Sequence, residues 1–258
     1  MAEKIISLKN VSKKYQLKKT EYSAIEDISL DVYEKEFIAI MGPSGCGKST
    51  LMKIMAGVEN PTKGERLFKG IEYKDKYPVE VIKKIGFMYQ DENLLPWRTV
   101  EKNLRLPMEV FKCVNDSSAE RIVDVLKMVG LEEYANVLPN ELSGGMKQRV
   151  GIARALVFDP DVVFMDYPFG ALDAITKKML TFDFLDIWKK TQKTFVMATN
   201  SVDEALTCAH RVIFLSDSPA KIREIIDVDI PIEERNFNIQ LLPEYQALRK
   251  RIQELIKS

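Results

Sequence analysis

The sequence predicts an α/β fold with a mainly parallel core sheet and an inserted helical subdomain, on three observations. Apolar runs of strand length alternate with amphipathic stretches of helix length. One apolar run leads through a glycine-rich loop directly into a helix, and strand runs stop between residues 91 and 159. In chain order, IAIM at 38–41 reads as a buried strand, GPSGCGKST at 42–50 as the loop, and LMKIMAG, with apolar residues at helical spacing, as the helix. TVEKNLRLPMEVF, SSAERIVDVLKMVGL and SGGMKQRVGIARALVF all carry the helical period, which places the inserted subdomain at residues 91–159. VVFMD at 162–166, TFVMAT at 194–199 and RVIFLS at 211–216 are β-rich apolar runs that return the chain to the sheet. A C-terminal extension, residues 217–258, holds a short apolar run, REIIDVDIP, and a charged amphipathic helix around YQALRKRIQELI. With no repeat and no low-complexity linker, residues 1–258 read as a single domain.

Composition narrows the class. The chain has 258 residues, 46% hydrophobic and 29% charged, enough to bury a substantial core. Lys plus Arg (38) equals Asp plus Glu (38), so no overall field recruits nucleic acid, and the run Lys13, Lys14, Lys18 and Lys19 reads as a solvated face. Cys46, Cys113 and Cys208 are odd in number and lack metal-ligand spacing, which argues for a reducing compartment such as the cytosol. No apolar run approaches the roughly 18 residues that span a bilayer, and the N-terminus has no signal pattern, so any membrane association is expected to come through a partner.

The loop carries the clearest chemistry. Gly42, Pro43, Ser44, Gly45, Cys46, Gly47, Lys48, Ser49 and Thr50 fill every fixed position of G-x-x-x-x-G-K-[ST], in the strand-loop-helix setting the motif requires. Its glycines let backbone N–H groups face phosphate oxygens, the helix N-terminus adds positive potential, Lys48 reaches the outer phosphates and Ser49 ligates Mg2+. Cys46 reads as a small loop residue rather than a reactive thiol, although a helix N-terminus lowers a thiol pKa. Asp166, ending an apolar strand, is placed to supply the carboxylate that P-loop enzymes use to hold the hydration sphere of magnesium.

LSGGMKQR at 142–149, together with the loop and Asp166, resembles the ATP-binding subunits of ABC transporters over essentially the whole chain. The resemblance implies the P-loop NTPase fold of that family, with an N-terminal antiparallel β region, and ATP and Mg2+ as ligands. It implies that Ser143, Gly144 and Gly145 cap the γ-phosphate of ATP held by the opposite subunit of a head-to-tail pair. A Ser-Gly-Gly opening a helix is chemically suited to that, as a second N-terminal anion site. Gln90 matches the glutamine that touches Mg2+ and relays to the membrane partner, and Asp173 the aspartate of the GALD loop. Tyr15 matches the aromatic that stacks on adenine, or is a core strand aromatic. LLPWRTVEKNL, PFGALDA and the tail resemble importer ATPases for nitrate, sulfonate, taurine and related solutes. In them the segment corresponding to residues 91–107 faces a transmembrane permease. Leu94, Leu95, Pro96 and Trp97 then form an apolar docking surface or pack the helical subdomain. Solute specificity would reside in the permease and any solute-binding protein, with this chain peripheral on the cytoplasmic side of the membrane.

Two positions depart from the family. A glutamate normally follows the strand-ending aspartate and a histidine follows the next strand; here Tyr167 and Asn200 stand there. A phenol is a neutral hydroxyl at pH 7 and cannot take a proton from water as a carboxylate does, and an amide has no titratable imidazole. Positioned acid-base groups are worth about 10² to 10⁴ in rate, so this chain's own site is expected to bind Mg-ATP and scarcely hydrolyse it. Intact LSGGM would complete the site of a different, catalytically complete ATP-binding subunit. The alternatives are rescue of chemistry by Asp91, Glu92 or Asp173, a slow homodimeric ATPase, and a non-catalytic ATP-sensing regulator or scaffold. His210, the only histidine, reads as structural.

Overall fold

The computed structural model describes residues 3–17, 20–170 and 172–257; Lys18 and Lys19 of the lysine run and Ala171 of PFGALDA lie outside them. The chain opens with β1 (Lys4–Leu17) and β2 (Thr20–Tyr33), followed by β3 (Phe37–Met41) and α1 (Lys48–Met55). β4 (Lys63–Phe68), β5 (Ile71–Glu72), the short α2 (Val79–Ile82) and β6 (Ile85–Met88) come next. Three helices follow, α3 (Val100–Val110), α4 (Ser118–Met128) and α5 (Gly144–Leu156). The chain then alternates through β7 (Val162–Asp166), α6 (Ala174–Thr191), β8 (Thr194–Ala198), α7 (Val202–Cys208) and β9 (Arg211–Leu215). It closes with β10 (Ile222–Asp227) and α8 (Pro243–Lys257).

These strands form two sheets. An antiparallel one runs β2-β1-β4-β5, and a six-stranded one runs β10-β9-β3-β8-β7-β6, parallel from β9 to β6 with β10 antiparallel at its edge. Every residue of β3, β7 and β8 is buried, as a parallel sheet covered on both faces requires. The period of two divides those apolar runs between two cores. Phe37, Ala39, Met41, Val163, Met165, Phe195 and Met197 join the side packed by α3 to α8. Ile38, Ile40, Val162, Phe164, Val196 and Ala198 face α1 and the antiparallel sheet. β6 has no counterpart in the sequence reading: it is four residues long, and its Gly86 lies against the Ala155 backbone, where a Cβ would come within 2.4 Å of the carbonyl oxygen.

After β10 the tail is fastened to α7 and the residue that follows it. Arg235, buried, donates to the carbonyls of Val228, Ile230, Thr207 and Ala209. Tyr245, fully buried on α8, donates its hydroxyl to Asp203 Oδ1 at 2.6 Å. Among the described residues no helix is long and apolar enough to cross a membrane.

Candidate functional site

The strand order β6-β7-β8-β3 decides where the site lies. All four strands are parallel, so residues that follow their carboxyl ends meet along one edge of the sheet, where open α/β sheets hold ligands. A cavity of about 670 Å³ opens there. β3 contributes the loop residues Ser44, Gly45, Gly47, Lys48, Ser49 and Thr50, and β6 contributes Gln90. Tyr167 and Gly170 come from β7, and Thr199, Asn200 and Ser201 from β8. Lys177 and Glu204, on α6 and α7, complete the wall.

The loop has its shape because two glycines stand where a side chain would not fit. Gly42 (φ 150°) lies 2.8 Å, measured from an ideal Cβ, from the Leu215 carbonyl oxygen, and Gly47 (φ 122°) comes within 2.9 Å of that of Ala24. Gly47 caps α1 without a side chain and no acidic residue occupies the first turn, so the helix N–H groups are left for an external anion. Lys48, 2% exposed, donates its ammonium to the carbonyls of Gly42 (2.7 Å) and Pro43 (2.6 Å), which holds a cation within the loop. Burial pushes the Cys46 thiol upward despite Lys48 beside it, so the lowering expected from a helix N-terminus is outweighed by desolvation.

Ser49 donates to Asp166 Oδ1 at 2.9 Å. Burial raises the Asp166 carboxyl above its ordinary value, with Ser49, Lys53 and Lys48 opposing the rise. A hard dication is suited to such a place: the hydroxyl and carboxylate are oxygen donors, Gln90 adds an amide from beyond the end of β6, and a positive charge would favour the ionised carboxylate. The residues fit Mg2+ carried by a nucleoside triphosphate, whose phosphates the loop amides and Lys48 would bind.

Tyr167 and Asn200 bond to one another. The Tyr167 hydroxyl donates to Asn200 Oδ1 at 3.2 Å, and the Lys48 ammonium lies 5.6 Å from the Tyr167 ring centroid. Tyr167 has a left-handed backbone (φ 52°), rare for a bulky residue, and is fixed there by its N–H on the Ala198 carbonyl (3.0 Å) and by the Gly170 N–H on its own carbonyl (3.1 Å). Neither side chain offers a carboxylate or imidazole. None of the three rescuing carboxylates suggested by the sequence lines the cavity. Asp173 caps α6, accepting from the Ile175 and Thr176 N–H groups, with its carboxyl held low chiefly by Thr176. Glu92 accepts from Gln148, and Asp91 is exposed.

Glu204 is the carboxylate that does face the cavity, and it was missed. Its spacing after Ser201 has the form of a helix capping box, and Ser201 does accept from the Glu204 N–H (3.3 Å). Its carboxyl, however, accepts from the Thr199 hydroxyl, and burial raises its pKa. Position after a parallel strand, rather than any motif, was the signal that could have found Thr199, Ser201 and Glu204. His210 stands apart from the cavity; its Nδ1 accepts from the Phe37 N–H at 3.0 Å and burial lowers its pKa.

Other predicted residues lie outside this cavity. Ser143 caps α5, accepting from the Met146 N–H (3.3 Å), and Ser143 and Gly144 are exposed. Tyr15 is half-buried, which corrects its reading as a core aromatic; its hydroxyl bonds Glu59 and approaches Thr50 Oγ1 at 3.4 Å, beside the loop. The four residues expected to form an apolar surface at 94–97 are divided, with Pro96 and Trp97 exposed and the two leucines partly covered. Leu94 packs against the core, Leu95 is half-buried, and Trp97, 73% exposed, adjoins the charged side chains of Arg98, Glu101, Lys102 and Arg105.

Comparison with known proteins places this geometry among others. Residues 25–170 match the family model described as ABC transporter. An uncharacterized ABC transporter ATP-binding protein of Methanocaldococcus jannaschii is 40% identical over 98% of this chain and 91% of its own length. An aliphatic sulfonates import ATP-binding protein of Bacillus cereus is 36% identical, covering 96% of this chain and 94% of its own. A nitrate import ATP-binding protein of Synechococcus elongatus is 38% identical, covering 93% and 86%. Among solved structures, a dimeric bacterial ABC transporter cassette superposes with a TM-score of 0.76 at 35% identity, over 88% of this chain and all of that one. The same cassette in a post-hydrolysis state bound to ADP and Pi gives 0.75.

Proposed function

Because the chain belongs to the ABC transporter family, as an ATP-binding subunit homologous to sulfonate and nitrate importer ATPases, we propose that it is the nucleotide-holding subunit of an importer for a small solute of that kind. The observation that carries this is the cavity itself. Its lining brings Lys48, Ser49 and Thr50 of the phosphate loop, with Ser49 bonded to Asp166, together with the hydrogen-bonded Tyr167–Asn200 pair.

Lys48, the loop amides and the α1 N-terminus bind the phosphates, and Ser49, Asp166 and Gln90 hold the magnesium. Tyr15, next to Thr50, offers a ring for the base. Tyr167 and Asn200 leave the attacking water without the carboxylate and imidazole that the family places at these two positions, so bound triphosphate persists. Ser143 and Gly144, exposed at the α5 N-terminus, and Gly145 beside them meet the nucleotide of a second ATP-binding subunit in a head-to-tail pair, and Asp173 faces that subunit. The partner keeps the glutamate and histidine and performs the hydrolysis that resets the pair. Pro96 and Trp97, with the charged residues around them, dock on the permease through residues 91–107. The chain sits peripherally at the cytoplasmic face of the membrane, and a solute-binding protein completes the system.

The test is asymmetric. In a mixed dimer with a catalytically complete subunit, Ser143→Arg in this chain stops phosphate release, whereas Asn200→Ala in this chain leaves it largely intact. Equal loss in both variants, or none with Ser143→Arg, rejects the division of labour.

A further inference from the structure

The segment that leaves the cavity at Gln90 and ends at the exposed Trp97 is fastened entirely to one side of the molecule. Gln148 Nε2 on α5 donates to Glu92 Oε1 at 2.7 Å. Arg154, two turns further along the same helix, donates to the Glu92 and Asn93 carbonyls. The amide of Asn103 on α3 takes both backbone groups of Leu95, its Oδ1 accepting from the N–H (2.8 Å) and its Nδ2 donating to the carbonyl (3.2 Å). Among the described residues, hydrogen bonds from residues 92–95 to other elements therefore run to α3 and α5 and none to the sheet.

We propose that Glu92 is a positioning residue: with Gln148 and Arg154 it forms the joint that makes the Trp97 segment move with α5, linking the nucleotide cavity and the α5 N-terminus to the surface. Gln148 is 1% exposed, and among the described residues its Oε1 has no hydrogen-bond partner, so Glu92 alone satisfies that buried amide. Losing Glu92 leaves both ends of the amide unpartnered, a costly state that loosens the joint rather than merely removing a contact. Gln148 lies little more than one turn from Ser143, and a helix transmits displacement along its axis as a rigid element. The inference rests on the reading above only in that nucleotide bound at the phosphate loop supplies the movement.

Trp97 is its own reporter. The chain has two tryptophans, and the other, Trp188, is buried on α6. In a Trp188→Phe background, Mg-ATP is titrated while Trp97 emission and its quenching by iodide are followed, with nucleotide affinity measured separately by equilibrium dialysis. The parent is expected to show a saturable Trp97 response at the binding midpoint. Glu92→Ala loses most of that amplitude while still binding nucleotide. Gln148→Met, which fills the same space without an amide, gives the same loss, and Glu92→Gln, which keeps an acceptor, restores the response. Full amplitude in Glu92→Ala and Gln148→Met overturns the proposal. So does a parent that binds Mg-ATP with no change at Trp97. A parent that binds no nucleotide defeats the functional reading first, and the joint with it.

Discussion

Tyr167 occupies a left-handed backbone position and spends its hydroxyl on Asn200, so the two side chains facing the place where water would attack satisfy each other. The pair predicts its own reversal: Tyr167→Glu combined with Asn200→His raises phosphate release by about 10² to 10⁴, the usual worth of positioned acid-base groups, in a direct release assay. Glu204 makes a second prediction, in stability. Burial raises its carboxyl in the folded protein above its ordinary value of 4.5, so between the unfolded and folded pKa values the folded state binds the extra proton. Stability from this group therefore falls as pH rises from the unfolded value through the folded one. Glu204→Gln, a permanently neutral stand-in, raises Tm at pH 8, and the gain vanishes as pH falls toward 4. A constant difference across that range contradicts the assignment.

Among the elements, β3, its loop and α1 were legible because one motif fixes backbone, charge and chemistry together, and the apolar runs of β7, β8 and β9 because a sheet covered on both faces needs them. β6 was not legible, since four residues containing a glycine give little strand signal, and the side-chain partners of Glu92, 56 residues from Gln148, follow only from packing. Nor could the sequence show that Tyr167 and Asn200, 33 residues apart, would meet; β7 and β8 must first be neighbours. The tail makes a test at this scale. Tyr245→Phe keeps the ring on α8 but removes the hydroxyl from Asp203, and is expected to cost about 1–3 kcal/mol in denaturant unfolding, as for a hydrogen bond to a charged group.

As a whole the molecule is an ATP-binding cassette, which in the proposed function holds a nucleotide and lends its exposed α5 N-terminus to another subunit. Its balanced composition, 38 basic against 38 acidic residues, gives no overall field, so the charge that matters is local, in Lys48 and the loop amides. The measurement that tests this most directly is ATP binding and phosphate release by the purified chain in Mg2+, with Lys48→Ala alongside. Saturable binding that Lys48→Ala abolishes is expected, with no phosphate release above background. Steady release that disappears in Lys48→Ala would contradict it, because another group in the cavity, with Glu204 the first to examine, would then be serving as the base.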